Sequence, residues 1–193
     1  MLQKKKPYIT NYDMIFKVVL FGEVGVGTST LLKRTTSDFI YDTVLTIGVD
    51  FWVKKKTKGL NLREKVLKVN GRTVKLLILR LSNEERFRYV VPKYLKAAHG
   101  AIIMYDITRP VTLEKIIEWT SMIRKNVGTI PIVLVGGKAD LFENREVSKD
   151  EALEIKESAG LDAFIECNSK TGEKVEAVFE TISRLMVKRI KRS

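Results

Sequence analysis

The run Phe16-Lys17-Val18-Val19-Leu20-Phe21-Gly22-Glu23-Val24-Gly25-Val26-Gly27-Thr28-Ser29-Thr30-Leu31-Leu32 constrains the fold more than any other part of the chain. Val18 to Phe21 reads as a buried strand, residues 22–27 as a glycine-spaced turn, and the segment from Thr28 as the start of a helix. Strand, Gly-x-x-x-x-Gly and helix, in that order, is the layout of a phosphate-binding loop. Its glycines let backbone N–H groups curl around an anion, and the helix N-terminus adds partial positive charge. Such a loop ordinarily continues with a lysine that reaches the outer phosphates and a Ser or Thr whose hydroxyl binds magnesium. Here Thr28 and then Ser29 follow Gly27, so the hydroxyl is present and the lysine is not.

The rest of the chain alternates between strand-like and helix-like segments, which predicts a mostly parallel sheet with helices on both faces. After a helix at 28–36 and a polar loop at 36–46, strands are expected at 47–53 and 74–81 and a short helix at 88–97, near Pro92. Residues 101–107 read as a buried strand. A helix at 111–126 places Leu113, Ile116, Ile117 and Ile123 on one face. A strand at 130–136, a helix at 148–159 and a strand at 163–167 follow. The last helix, 174–190, carries Val175, Val178, Phe179, Ile182 and Met186 on its apolar face. Asn70-Gly71 between two apolar-patterned runs is a hairpin signal. The segment 54–65 is too polar for a core strand and reads as an extended basic loop joined to that hairpin.

At 193 residues the chain is large enough for one well-buried core. It divides into a basic extension at 1–12, a domain at 13–188 with a basic insertion near 54–66, and a basic tail at 189–193. A single cysteine, Cys167, excludes an internal disulfide and fits a reducing, cytoplasmic compartment. The apolar runs are too short for a bilayer-spanning helix, and the charged start does not resemble a signal peptide. The net charge of +12 is uneven. Residues 54–75 hold nine Lys/Arg against one Glu, residues 184–193 hold five Lys/Arg and no acid, and residues 1–12 hold three Lys and no acid. Two readings follow: solvated tails and a solvated hairpin, or docking to an anionic membrane surface. The basic runs are not interleaved with aromatics, which argues against single-stranded nucleic acid as a partner.

Other stretches then name a family. Thr46-Ile47-Gly48-Val49-Asp50-Phe51 resembles the first switch and effector stretch of Rab-type small GTPases. Glu85-Arg86-Phe87-Arg88 resembles the exit of the second switch, and Tyr105-Asp106-Ile107-Thr108 the end of the fourth core strand. With Lys170-Thr171-Gly172-Glu173-Lys174-Val175 before the last helix, the resemblance spans about residues 12–188. It implies a six-stranded Ras-like P-loop fold, GTP or GDP with magnesium, and protein partners bound through residues 47–51 and 84–95. It also implies nucleotide contacts from Gly22, Glu23, Val24, Gly25, Val26, Gly27, Thr28, Ser29 and Thr30, from Thr46, from Lys138 and Asp140, and from Asn168, Ser169 and Lys170. Ser29 and Thr46 would be the magnesium ligands.

Several positions depart from the family pattern. Thr28 stands for its lysine, and Val24 for a small residue beside the terminal phosphate. After the third core strand the family's Asp-Thr-Ala-Gly-Gln-Glu reads Arg80-Leu81-Ser82-Asn83-Glu84-Glu85. The metal-side aspartate is thus Arg80, and the water-orienting glutamine is Glu84. The family's Asn-Lys-x-Asp reads Gly137-Lys138-Ala139-Asp140, which keeps the acceptor for guanine and the lysine stem along the base but loses a tie to the phosphate loop. The chain ends without the family's prenylated cysteines, which predicts no anchor of that kind.

Hydrolysis in this class rests on positioning and charge neutralisation by lysine, metal and an oriented water. Three of those parts are altered, so weakened nucleotide binding, little help from magnesium and no assigned catalytic residue are expected. The alternative is an active GTPase in which Arg80 replaces the lysine or the metal. Against it stands an ion pair of Arg80 with Glu84, Glu85 or Glu23. Cys167 reads as a buried structural thiol, His99 as neither metal ligand nor acid–base group, Trp52 and Trp119 as packing groups, and Asp50 and Asp106 as structural or partner-facing acids.

Overall fold

The computed structural model describes residues 11–35, 60–81 and 91–191. The expected strand at 47–53, Thr46, Asp50, Trp52, Asn83, Glu84, Glu85, residues 54–59 of the basic insertion and the terminal residues 1–10 and 192–193 lie outside the described residues.

The apolar run at the start forms β1 (Met14–Gly22), a central strand. The polar-looking segment after it forms β2 (Leu60–Val69), which turns at Asn70-Gly71 into β3 (Arg72–Leu81). Both turn residues have left-handed backbone, φ 50° and 78°, as a two-residue hairpin loop requires. Then come α2 (Val91–Leu95), β4 (Gly100–Asp106), α3 (Pro110–Val127), β5 (Ile132–Gly137), α4 (Lys149–Ser158), β6 (Ala163–Glu166) and α5 (Val175–Ile190), with α1 (Thr28–Thr35) directly after β1. The sheet order is β2-β3-β1-β4-β5-β6, and only β2 runs antiparallel to its neighbour.

Because both faces of the sheet are covered, the central strands read as continuous apolar runs. Alternate residues feed two cores. Val18, Leu20, Ile78, Ile102, Met104 and Val133 pack with Leu31 of α1 and with Val178, Phe179, Ile182 and Met186 of α5. Val19, Phe21, Leu79, Ile103 and Leu134 pack with Leu95 of α2 and with Ile116, Trp119 and Ile123 of α3. The helix α5 approaches β4 closely: a Cβ at Gly100 would lie 2.9 Å from Met186 Sδ and 3.0 Å from Ile182 Cδ1. Replacing Ile182 with Ala would cost ~2–5 kcal/mol, for lost burial and the cavity left behind.

Three expectations need correction. Residues 60–65 are strand, not loop. The segment is an edge strand, where polar side chains are tolerated, and its one inward lysine is neutralised. Lys65 Nζ lies 2.7 Å from Glu176 on α5 and 5.6 Å from the centre of the Phe179 ring. The solvated-hairpin reading fails for Lys75 as well, which is 1% exposed, 2.7 Å from Glu64 Oε1 and 4.9 Å from the centre of the Tyr12 ring. Two of the nine basic residues in 54–75 are therefore internal cations, and the surface charge is smaller than the sequence suggested. Finally, Ile117 is exposed while Thr112, Trp119 and Thr120 are buried. One residue past Ile116 is a rotation of about 100°, which carries Ile117 off the buried stripe.

Candidate functional site

The chain winds from β1 to β3 on one side and then to β4 on the other, so the strand order reverses beside β1. In open α/β sheets, ligands bind at the carboxyl ends of the strands next to such a reversal. The ends of β1, β4, β5 and β6 carry the predicted phosphate loop, Asp106, Lys138–Asp140 and Asn168–Lys170 respectively.

At the end of β1 the space is fully used. A Cβ at Gly22 would lie 2.6 Å from Val26 Cγ2, 2.9 Å from the Met104 carbonyl and 3.0 Å from Thr28 Cγ2. The loop closes with the Val26 N–H on the Glu23 carbonyl (3.3 Å), and Gly27 accepts from Leu31 N–H (2.9 Å) as α1 begins. Gly25 and Gly27 have φ 85° and 109°, a region that other residues enter only at a cost. Thr28 is buried with its methyl turned back toward Gly22. Val24, Ser29 and Thr30 are exposed.

The end of β4 holds a buried carboxylate. Asp106 accepts from Thr108 N–H (3.0 Å), Thr108 Oγ1 (2.8 Å) and Arg109 Nε (2.9 Å), and pairs with Lys138 Nζ at 2.5 Å. Burial pushes its pKa up, but the donors from Lys138, Thr108 and Arg109 outweigh that and hold the carboxyl below its usual range. Arg109 also reaches the phosphate loop, where Nη2 donates to the Val24 carbonyl at 3.0 Å.

At the end of β5, Gly137 lets the loop settle onto the sheet: a Cβ there would lie 2.6 Å from the Val26 carbonyl. The tie lost with the family's asparagine is thus replaced by direct backbone packing. Lys138 follows with φ 63°, a costly conformation for a lysine unless its surroundings hold it. Its Nζ is on Asp106, and Asp140 is exposed.

Beyond β6 the loop satisfies itself. Asn168 Oδ1 accepts from Lys170 N–H (2.9 Å) and Thr171 N–H (3.1 Å), and its carbonyl accepts from Gly172 N–H (2.8 Å). Its side chain is therefore spent within its own turn. Ser169 is buried with Oγ 3.8 Å from a Cβ built on Gly27, so this loop abuts the phosphate loop. Arg34 of α1 donates to the Thr171 carbonyl and pins the same turn from the other side.

The structure thus brings residues 22–30, 138, 140 and 168–170 to one edge of the sheet, while Thr46 lies outside the described residues. Arg80 sits near the end of β3, in register with Leu20 and opposite Asn61. Cys167 is buried, which pushes its thiol up to about 11, so it carries no thiolate at neutral pH. His99 Nδ1 accepts from Lys17 N–H (2.9 Å), and burial together with the Lys17 charge lowers its pKa. The ring is therefore neutral at pH 7, with its proton on Nε2. Sequence reasoning missed Arg109 altogether and gave Asp106 no part in the site. The available signal was a carboxylate ending an otherwise apolar strand, with an arginine three residues on.

Whether magnesium fits can be judged from the donors. The ion demands oxygen ligands, usually one or two carboxylates plus phosphate. Ser29 offers an exposed hydroxyl, while β3 carries Arg80 where the resemblance places the metal-side carboxylate. Among the described residues there is no group of three His, Cys, Asp or Glu able to hold a metal ion. Thr46, the other ligand that the resemblance implies, lies outside the described residues, so Ser29 alone of the two can be placed.

Comparison with known proteins gives two findings. A family model described as the Ras family matches residues 17–188. The Ras-related protein RABA2a of Arabidopsis thaliana is 38% identical over 173 residues, covering 89% of this chain and 74% of that protein.

Proposed function

The chain belongs to the Ras family, among its Rab-like small GTPases, and on that premise we propose that it binds guanine nucleotide weakly, has lost an efficient hydrolytic cycle and works as a protein-interaction module. Membership implies GTP or GDP, ordinarily with magnesium. The observation that carries the proposal is Thr28, buried against Gly22 where the family's lysine would extend toward the phosphates. Charge-assisted hydrogen bonds contribute roughly 1.5–3 kcal/mol each. Losing the lysine and the metal contacts would weaken nucleotide affinity by about two to four decades.

The loop amides of residues 22–28 would hold the phosphates, and Asp140 with the Lys138 stem would face the base. The bound nucleotide would supply the anion for which the amides are arranged. Partners would dock on residues 47–51 and 84–95. The decisive measurement is binding of fluorescent GDP and GTP with magnesium and with chelator, together with multiple-turnover GTP hydrolysis. Guanine-selective binding that chelation barely changes, with negligible turnover, is expected. Turnover at the rate of ordinary small GTPases, abolished by Ser29→Ala, would overturn the proposal. Thr28→Lys with Arg80→Asp should strengthen magnesium-dependent binding.

The competing reading, an active GTPase using Arg80, draws on the placement of Arg80 near the carboxyl end of β3. It requires Arg80→Ala to abolish turnover.

A weaker association with anionic membranes is proposed for the end of α5. Among the described residues no helix is long and apolar enough to cross a membrane. Lys188, Arg189 and Lys191 are exposed, and Arg184 is paired with Glu180 at 3.1 Å. Each basic residue near an anionic surface contributes about 1 kcal/mol at most. Met186, expected on the apolar face, and Val187 beside it are buried, so truncation before them would damage the fold. Charge reversal at Lys188 and Lys191, tested by vesicle co-sedimentation at low and physiological salt, is the suitable probe. Undiminished binding would make the tail a bystander.

A further inference from the structure

Arg109 is held at both ends. Its Nε donates to buried Asp106 and its Nη2 to the Val24 carbonyl, so the charge has a fixed position. The peptide whose carbonyl it touches carries the N–H of Gly25. Carbonyl and N–H of one peptide point in opposite directions, and a hydrogen bond accepted on one side polarises the donor on the other. Gly25 sits against this contact with φ 85°, and a Cβ there would meet Nη2 at 3.4 Å. Asp106 meanwhile faces two cations, Arg109 and Lys138, so the cluster carries a net positive charge between the phosphate loop and the base-facing stretch. The loop's own helix supplies no cation at Thr28.

We propose that Arg109 is a positioning residue for phosphate. It holds the loop in its amide-inward shape, sharpens the Gly25 N–H as a donor, and supplies the nearby positive charge that Thr28 does not. The ligand class is a di- or triphosphate, and the proposal rests on the nucleotide-binding reading above. Through Asp106 the same guanidinium is linked to Lys138, so phosphate and base recognition share one anchor.

The test uses the full chain with Arg109→Ala and Arg109→Lys, and Arg80→Ala for comparison. Two probes, fluorescent GDP and inorganic pyrophosphate, are titrated in chelator at two salt concentrations. Amide hydrogen exchange at Val26 is measured without ligand. Arg109→Ala should weaken both probes about ten- to hundredfold, flatten the salt dependence, and speed Val26 exchange. Arg109→Lys keeps the charge but not the fork. It should keep the salt dependence while Val26 exchange rises as in the Ala variant. Arg80→Ala should have the smaller effect on both probes. Equal pyrophosphate binding by wild type and Arg109→Ala, no pyrophosphate binding by wild type, unchanged Val26 exchange, or a larger effect from Arg80→Ala would each overturn the proposal. GDP binding no tighter than pyrophosphate would defeat the guanine reading while leaving the Arg109 assignment standing.

Discussion

The phosphate loop and the loop after β6 lie side by side, yet they keep their shapes in opposite ways. The loop after β6 is held largely from within, with Asn168 accepting two amides of its own turn and Arg34 of α1 adding one outside tie. The phosphate loop is shaped largely from outside: by Arg109 on Val24, by Gly137 beneath Val26, and by Met104 beside Gly22. A self-contained turn tolerates changes elsewhere in the molecule. A loop held by distant residues responds to all of them, and it is there that Thr28 stands where the family has its lysine.

Asp106 bears on the phosphate loop through Arg109 and on the loop after β5 through Lys138, so its loss should be the most damaging. Asp106→Asn leaves Arg109 and Lys138 without a counter-charge. Breaking a fully buried pair costs about 3–5 kcal/mol, and since both cations are more than a third exposed the expected loss is about 2–3 kcal/mol. The pH dependence has a definite sign. The folded carboxyl titrates below its unfolded value, so its stabilisation is complete above about pH 4 and disappears as pH falls through the folded pKa. Thermal unfolding between pH 7 and pH 2 should therefore fall less steeply for Asp106→Asn than for wild type. Parallel curves would remove Asp106 from this role.

Gly22→Val attacks the phosphate loop alone. With three neighbours at 3.0 Å or closer to the new Cβ, overpacking should cost ~1–3 kcal/mol and abolish nucleotide binding. The signature is faster amide exchange at Val26 with protection at Gly172 unchanged. Asn168→Ala attacks the other loop. Freeing two amides should cost about 1–2 kcal/mol, speed exchange at Lys170 and Thr171, and leave Val26 as it was. If Val26 also becomes labile, the two loops are less independent than their hydrogen bonds imply. The smallest effect is expected far from both. Ser148 caps α4, accepting from Glu151 N–H at 3.2 Å. Ser148→Ala should cost ~1 kcal/mol, lowering Tm by a few degrees with nucleotide binding unchanged.

How much of this was legible in the sequence depends on whether the cause is local. β1 and the glycine turn follow from a continuous apolar run and glycine spacing. The hairpin follows from Asn70-Gly71, and the buried face of α5 from its period. The start of β2 was not legible, because Lys65 is acceptable in a strand only through Glu176, 111 positions later. The Asp106 cluster was hidden for a similar reason. Arg109 is near in sequence, but Val24 and Lys138 arrive from β1 and β5. The base-side positions were easier to place than to interpret, since sequence alone did not reveal that the Asn168 side chain is occupied by its own turn.

The packing of Val26 on Gly137 also makes the order of sequence change matter. The carbonyl lies 2.6 Å from where the Cβ of a side chain at 137 would stand, so the loop must shift before the family's asparagine fits there. A change that shifts the loop would have to come first. Repair is then a path with a forbidden shortcut: Gly137→Asn is harmful alone and acceptable only once the Val26 carbonyl has moved. Such dependence would hold a chain of this kind in its altered state even when every single departure from the family pattern can be undone by one substitution.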